Sequence, residues 1–130
     1  MPLSDSPYLV NSAAVIGHLL VVGGSAAVFS PRSVIGAFGL TTPSTPESQK
    51  MVDLLVPLYG FREASLGLSM IAVWRYGNIQ TLGWTTLAVV VTALGDGWVA
   101  RKQRKGIEWV HWGSIPVALG LGAGLLGYFD

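Results

Sequence analysis

The chain has no cysteine among its 130 residues. That excludes a disulfide framework, a thiolate nucleophile and a thiolate metal site, and it leaves the compartment open. Charge is scarce as well. Only 12% of the residues are Asp, Glu, Lys or Arg, against about 25% in an ordinary soluble domain. The formal net charge is +1, and the basic residues are not spread along any stacking groove, which argues against a nucleic-acid partner. Motifs of well-known chemistries are also missing: there is no HExxH, no second His at helical spacing from a first, no Gly-rich phosphate loop and no GxSxG elbow. Neither a metal nor a cofactor is expected.

What the chain does have is apolar sequence. Hydrophobic residues make up 51% of it, and its mean hydropathy is +0.53. The length allows one domain, residues 1–130. Four apolar stretches, Tyr8–Phe29, Met51–Trp74, Thr81–Val99 and Trp109–Phe129, each come close to the ~20 residues that cross a bilayer as helix. The expected fold class is all-α, a four-helix transmembrane bundle. A soluble bundle would need a polar face on every segment, and Leu82–Leu94 carries only small, apolar and threonine side chains apart from Trp84. The segment Met1–Asp5 lacks the positive region of a secretory signal, so the first stretch reads as a retained span. Val34–Leu40 is too short to cross and reads as an interfacial turn or helix. Thr41–Lys50, rich in Thr, Ser and Pro, reads as a surface loop.

With four spans, Arg32, Lys50, Arg101, Lys102, Arg104 and Lys105 fall on one side and Arg75 alone on the other. The positive-inside rule then places the basic loops in the cytosol and both termini in the lumen or outside. The endoplasmic reticulum or another endomembrane is the expected location. Trp74, Tyr76, Trp84, Trp98, Trp109, Trp112 and Tyr128 fall near span ends, as an aromatic belt requires. Gly113, Gly120 and Gly127 recur every seven residues, and Gly120 with Gly124 makes a GxxxG. Such a stripe serves packing inside the bundle or a homodimer. Gly60 and Gly67 give the second span a similar smooth edge.

Against this background the adjacent pair Arg62–Glu63 is costly. It sits at the midpoint of the second span, where a charge costs roughly 2.5–3.5 kcal/mol on insertion scales. Charges at that depth normally face a bundle interior or a wet cavity, and they mark functional sites by default. Tyr59 shares a face with both, at i+3 and i+4. Adjacent side chains diverge by about 100° around a helix, so a third group from another helix is required. Asp96, about 9 Å to the cytosolic side of the third span's centre at 1.5 Å per residue, is the expected partner. Pro57 and Pro116 promise kinks flanking the same half of the bundle. The sum is a cytosol-facing pocket with apolar walls. Its candidate catalytic residues are Tyr59, Arg62, Glu63 and Asp96. His111, Trp98, Trp112, Asp53 and His18 are candidates for substrate binding. Competing roles are an ion cluster that only orients helices, a solvated Asp53, and a His18 that merely packs.

The stretch Leu58-Tyr-Gly-Phe-Arg-Glu-Ala-Ser-Leu-Gly-Leu68, with Leu94-Gly-Asp-Gly-Trp98 and Glu108-Trp-Val-His-Trp112, resembles a family of small fungal integral membrane proteins known as domain of unknown function 4267 (DUF4267). The likeness runs from the first span to the last. The resemblance implies four spans and, for some members, a place among genes for fungal natural products. It implies no catalytic residues.

The expected function is that of a small integral membrane enzyme acting on a lipophilic small molecule by acid–base chemistry. Epoxide opening or cyclisation, or a related isomerisation, needs no cofactor motif. Two carboxylates in different surroundings can divide acid and base roles, Arg62 can hold one of them, and Tyr59 can donate a hydrogen bond to a developing oxyanion. The alternatives are a non-enzymatic accessory or scaffold protein and a small oligomeric transporter. Membrane lipids are expected partners, and a homodimer would form through Gly120 and Gly124.

Overall fold

The computed structural model describes residues 2–103 and 106–130. Arg104 and Lys105, two of the six residues assigned to the basic side, lie outside the described residues. Every regular element among the described residues is helical. A single 3-10 turn, Leu3–Asp5, precedes α1, Pro7–Phe29. A short α2, Pro31–Val34, runs into a 3-10 turn, Ile35–Phe38, which stops at Gly39 with φ of 71°. The two longest helices follow, α3, Pro46–Tyr76, and α4, Ile79–Gln103. The chain ends with α5, Trp109–Trp112, and α6, Ile115–Leu125.

Two sequence expectations need correction. Thr41–Lys50 is a loop only as far as Thr45, because α3 already starts at Pro46. The Thr45 hydroxyl accepts from the Ser48 N–H at 3.2 Å and the Ser48 hydroxyl accepts from the Thr45 N–H at 3.1 Å. This reciprocal cap satisfies two helix-end donors, and Pro46 brings a preset helical φ to the first position. The fourth apolar stretch is not one helix but two, parted at Gly113–Ser114. Pro116 has no N–H to give the Trp112 carbonyl, so the helix breaks one turn before it. Pro57 has no such effect, and α3 passes it without interruption.

The helices pack as two antiparallel pairs, α1 on α3 and α4 on α6. Glycine decides the first. Gly24 and Gly60 face each other so closely that a Cβ on either would stand 2.5 Å from the other's carbonyl oxygen. Seven residues along, Gly67 meets Gly17 in the same way. Small residues at these crossings let the backbones touch, as small residues do wherever two helices cross closely. In the second pair Gly83 and Gly122 meet, with Leu87 and Leu126 filling the edges. Between the pairs lies a core of Ala13, Met70, Leu82, Val89, Val90, Ala118, Leu121 and Leu125. A smaller cluster of Ala27, Ile35 and Val56 seats the Ile35–Phe38 turn against α1 and α3.

Of the four expected spans, α1 and α4 are long and apolar enough to cross a membrane. α3 has the length, at 31 residues, but carries Arg62 and Glu63 in its middle. α6 has 11 residues, short of the ~20 a single crossing requires. Large apolar side chains point outward along the long helices, among them Leu19, Val22, Leu58, Phe61, Leu68, Trp84, Val91 and Trp98.

Candidate functional site

The charged cluster forms where α3 crosses α4. Glu63 points inward from α3 and Asp96 inward from α4, at 6% and 8% exposure, and both are buried. Arg62 leaves the next position of α3 and bends back. Its Nε and Nη2 donate to the Glu63 Oε1 at 3.2 and 2.9 Å. The same Nη2 donates to both Asp96 oxygens at 2.8 Å. The guanidinium also lies over the Tyr59 ring, 4.6 Å from its centroid, a favourable placement for a cation on a π face. The third group required by the Arg62–Glu63 pair is thus Asp96.

All of the Arg62 bonds to Glu63 go to one oxygen, Oε1. Glu63 is one of the residues that line a cavity of about 210 Å³ between α1, α3 and the Ile35–Phe38 turn. The remaining walls are Leu19, Leu20, Gly23, Gly24, Ala27, Val34, Ala37, Phe38 and Tyr59. Only Glu63 and Tyr59 bring polar side chains to it. Chemically, one acid and one phenol residue share an otherwise apolar lining, and a guanidinium ties that acid to a second carboxylate. Among the described residues, no three His, Asp or Glu side chains converge as a metal ion would require.

Other candidate residues lie elsewhere. Asp53 is paired with Arg32 at the surface, with N–O distances of 3.0 and 2.7 Å. His18 bonds the Ala14 carbonyl through its Nδ1 at 2.7 Å and meets the edge of Trp74, on the outer side of α1. Trp98 is exposed and carries the Lys102 ammonium 5.4 Å above its ring. Trp112 fills the groove at Gly97, donates its indole N–H to the Leu94 carbonyl at 3.3 Å, and lies under Arg101. His111 comes nearest to the cavity. Its Nε2 is 3.0 Å from the Ala37 carbonyl and its ring stacks on Phe38 at 5.5 Å, so it holds the turn that roofs the chamber.

Sequence reasoning missed Phe38, the roof itself, which touches Tyr59 edge to face at 4.7 Å. An apolar residue in a short loop gives no signal of such a role. It also missed Glu108, whose side chain is buried and whose Oε2 has no hydrogen-bond partner among the described residues. Here a signal existed: a single acid between a basic loop and an apolar stretch. Of the glycines in the last stretch, Gly120 faces open space, while Gly124 is covered by Leu9.

No curated protein and no solved structure matches the chain. A family model does, over residues 17–125, a span that takes in Arg62, Glu63 and Asp96 and the helices around them from Gly17 of α1 onward. The chain belongs to the family described as a domain of unknown function, DUF4267.

Proposed function

We propose that the protein is a four-span integral membrane enzyme that opens or rearranges a lipophilic small molecule by acid–base chemistry. The observation that carries this reading is Glu63, which with Tyr59 lines an otherwise apolar cavity and is held by one carboxyl oxygen to Arg62. Such an arrangement leaves the other oxygen to the ligand. With an epoxide as substrate, the Glu63 carboxyl gives its proton to the ring oxygen as the C–O bond breaks. A water or a hydroxyl of the same molecule attacks the carbon and returns its proton to the carboxylate. No cofactor enters, and Glu63 ends as it began. Tyr59 donates a hydrogen bond to the oxygen that gains charge. Asp96 acts through Arg62 by sharing its donors and fixing where the guanidinium sits. One guanidinium faces two carboxylates, so the cluster is neutral only when it holds one proton, the proton an acid catalyst needs.

Outward-facing apolar side chains on every long helix support the membrane reading. The α5–α6 segment would complete the fourth crossing, with the basic loops cytosolic in an endomembrane. A lipophilic natural product fits the cavity's walls as substrate class. The open face of Gly120 would admit a second copy of the chain.

Glu63→Gln and Asp96→Asn are expected to abolish turnover of lipophilic epoxides, followed as loss of substrate, while each variant stays folded in detergent. Full activity in both would sink the acid–base reading. A scaffold role has one observation in its favour, the direct α3–α4 clamp from Arg62 to both Asp96 oxygens. On that reading Arg62→Leu loosens the bundle and no reaction is lost.

A further inference from the structure

Phe38 and Tyr59 each wall two recesses. On one side is the cavity that ends on Glu63. On the other is a recess of about 230 Å³ whose further walls are Leu40, Leu55, Val56, Val99 and Gln103, at the junction of α3 and α4. The two rings, meeting edge to face at 4.7 Å, form the partition. Either space alone falls short of the roughly 300–1,000 Å³ of a small-molecule site, and the two joined fall within it.

The partition has one fixed side and one movable side. Tyr59 sits in mid-α3 beneath the Arg62 guanidinium. Phe38 stands at the end of a one-turn 3-10 helix that stops at Gly39 in the left-handed region. Its ring is held by Tyr59 and His111 alone among aromatic neighbours, and Gly36 beside it faces open space. A ring on so short a turn can leave its place without disturbing a long helix.

We propose that the two recesses are halves of one elongated ligand site, joined when the Phe38 ring swings aside. The ligand class that fits is an amphipathic molecule with an unbranched hydrocarbon portion. Its polar group lies at Glu63 and Tyr59, and its chain passes Phe38 to end against Leu55, Val56 and Val99. The proposal rests on reading the Glu63 cavity as the ligand site.

The test uses 1-alkanols of four and ten carbons carrying a terminal diazirine, irradiated with the protein in phosphatidylcholine nanodiscs, the adducts being located by peptide mass spectrometry. The four-carbon probe is expected to mark the inner walls, Leu20 or Ala27, and the ten-carbon probe Leu55 or Val99. Phe38→Ala should raise the outer adduct of the long probe at least threefold. Gly23→Leu adds a bulky side chain at the wall of the inner chamber, where an added Cβ meets nothing within 4 Å, and should lower that outer adduct by a similar factor without touching the outer recess. Outer labelling that stays at the wild-type yield in both variants, or that is as strong with the short probe, overturns the proposal while inner adducts persist. Absence of inner adducts from every protein overturns the cavity reading and the proposal together.

Discussion

One terminal nitrogen of Arg62 faces three acceptors, the Glu63 Oε1 and both Asp96 oxygens, with two hydrogens to share among them. The bonds are therefore partly shared, and both carboxylates depend on the same cation. Removing it leaves two buried acids facing each other, a change that costs about 3–5 kcal/mol when a buried ion pair is broken. The Arg62 side chain is 46% exposed, which puts the expected cost at the lower end. Arg62→Leu should lower the thermal midpoint by roughly 10 °C, given about 2–8 °C per kcal/mol across domains of this general size. Asp96→Asn in the same chain should restore part of the loss. A double-mutant cycle in detergent measures both, and strictly additive effects would show that the three groups do not act as a unit. Tyr59, Arg62 and Glu63 were legible in the sequence because helical spacing alone puts them on neighbouring faces. Asp96 was legible because a lone charge at that depth must find a partner. Phe38 was not, since its place depends on a turn folding back over the body of α3 at Tyr59, and no periodicity encodes that.

At the scale of the helix, glycine decides what touches what. Gly67→Ala would push a methyl group into the Gly17 carbonyl and the Val21 side chain, overpacking that costs about 1–3 kcal/mol. Gly23→Ala, one residue from a packed glycine but facing open space, should be neutral or stabilise by up to about 1 kcal/mol through helix propensity. Thermal melts of the two variants check the contrast, and equal effects would contradict the crossing described for α1 and α3. The smooth edge of α3 was readable from Gly60 and Gly67. Its partner edge, Gly17 and Gly24 at the same spacing, could be recognised only once the pairing of the helices was known. The start of α3 was misread for a different reason. Thr, Ser and Pro make loops and also make helix caps, and composition alone does not separate the two uses.

At the scale of the molecule, the two ends of the described chain are tied together. The Ser4 N–H and hydroxyl both donate to the Asp130 carboxylate, at 2.8 and 2.7 Å. The bonds from Ser4, the hydroxyl's foremost, hold the Asp130 carboxyl below its usual range. A group depressed in this way contributes stability above its unfolded value, about 3.9, and loses that contribution as the pH falls through the lower folded value. Asp130→Asn should therefore flatten the acid side of the stability profile and leave the neutral side nearly parallel to wild type. Thermal midpoints between pH 3 and pH 7 read this directly, and an unchanged acid slope would mean that the tie breaks before the chain unfolds. The number of apolar stretches was readable but not which helices pair, and the division of the last stretch follows from Pro116, whose kink was foreseen and whose full break was not.

The crossing of α1 and α3 has a mechanical consequence. With carbonyl oxygens seated against glycines at two points, the pair works as a detent. On the faces that meet, with Gly23 turned to open space, the nearest slip that again seats a glycine on a glycine is seven residues, or about 10.5 Å of travel. Such a slip carries Glu63 away from the Ile35–Phe38 turn and from the cavity alike. Two contacts with no polar side chain in them thus set the depth at which the carboxyl is delivered.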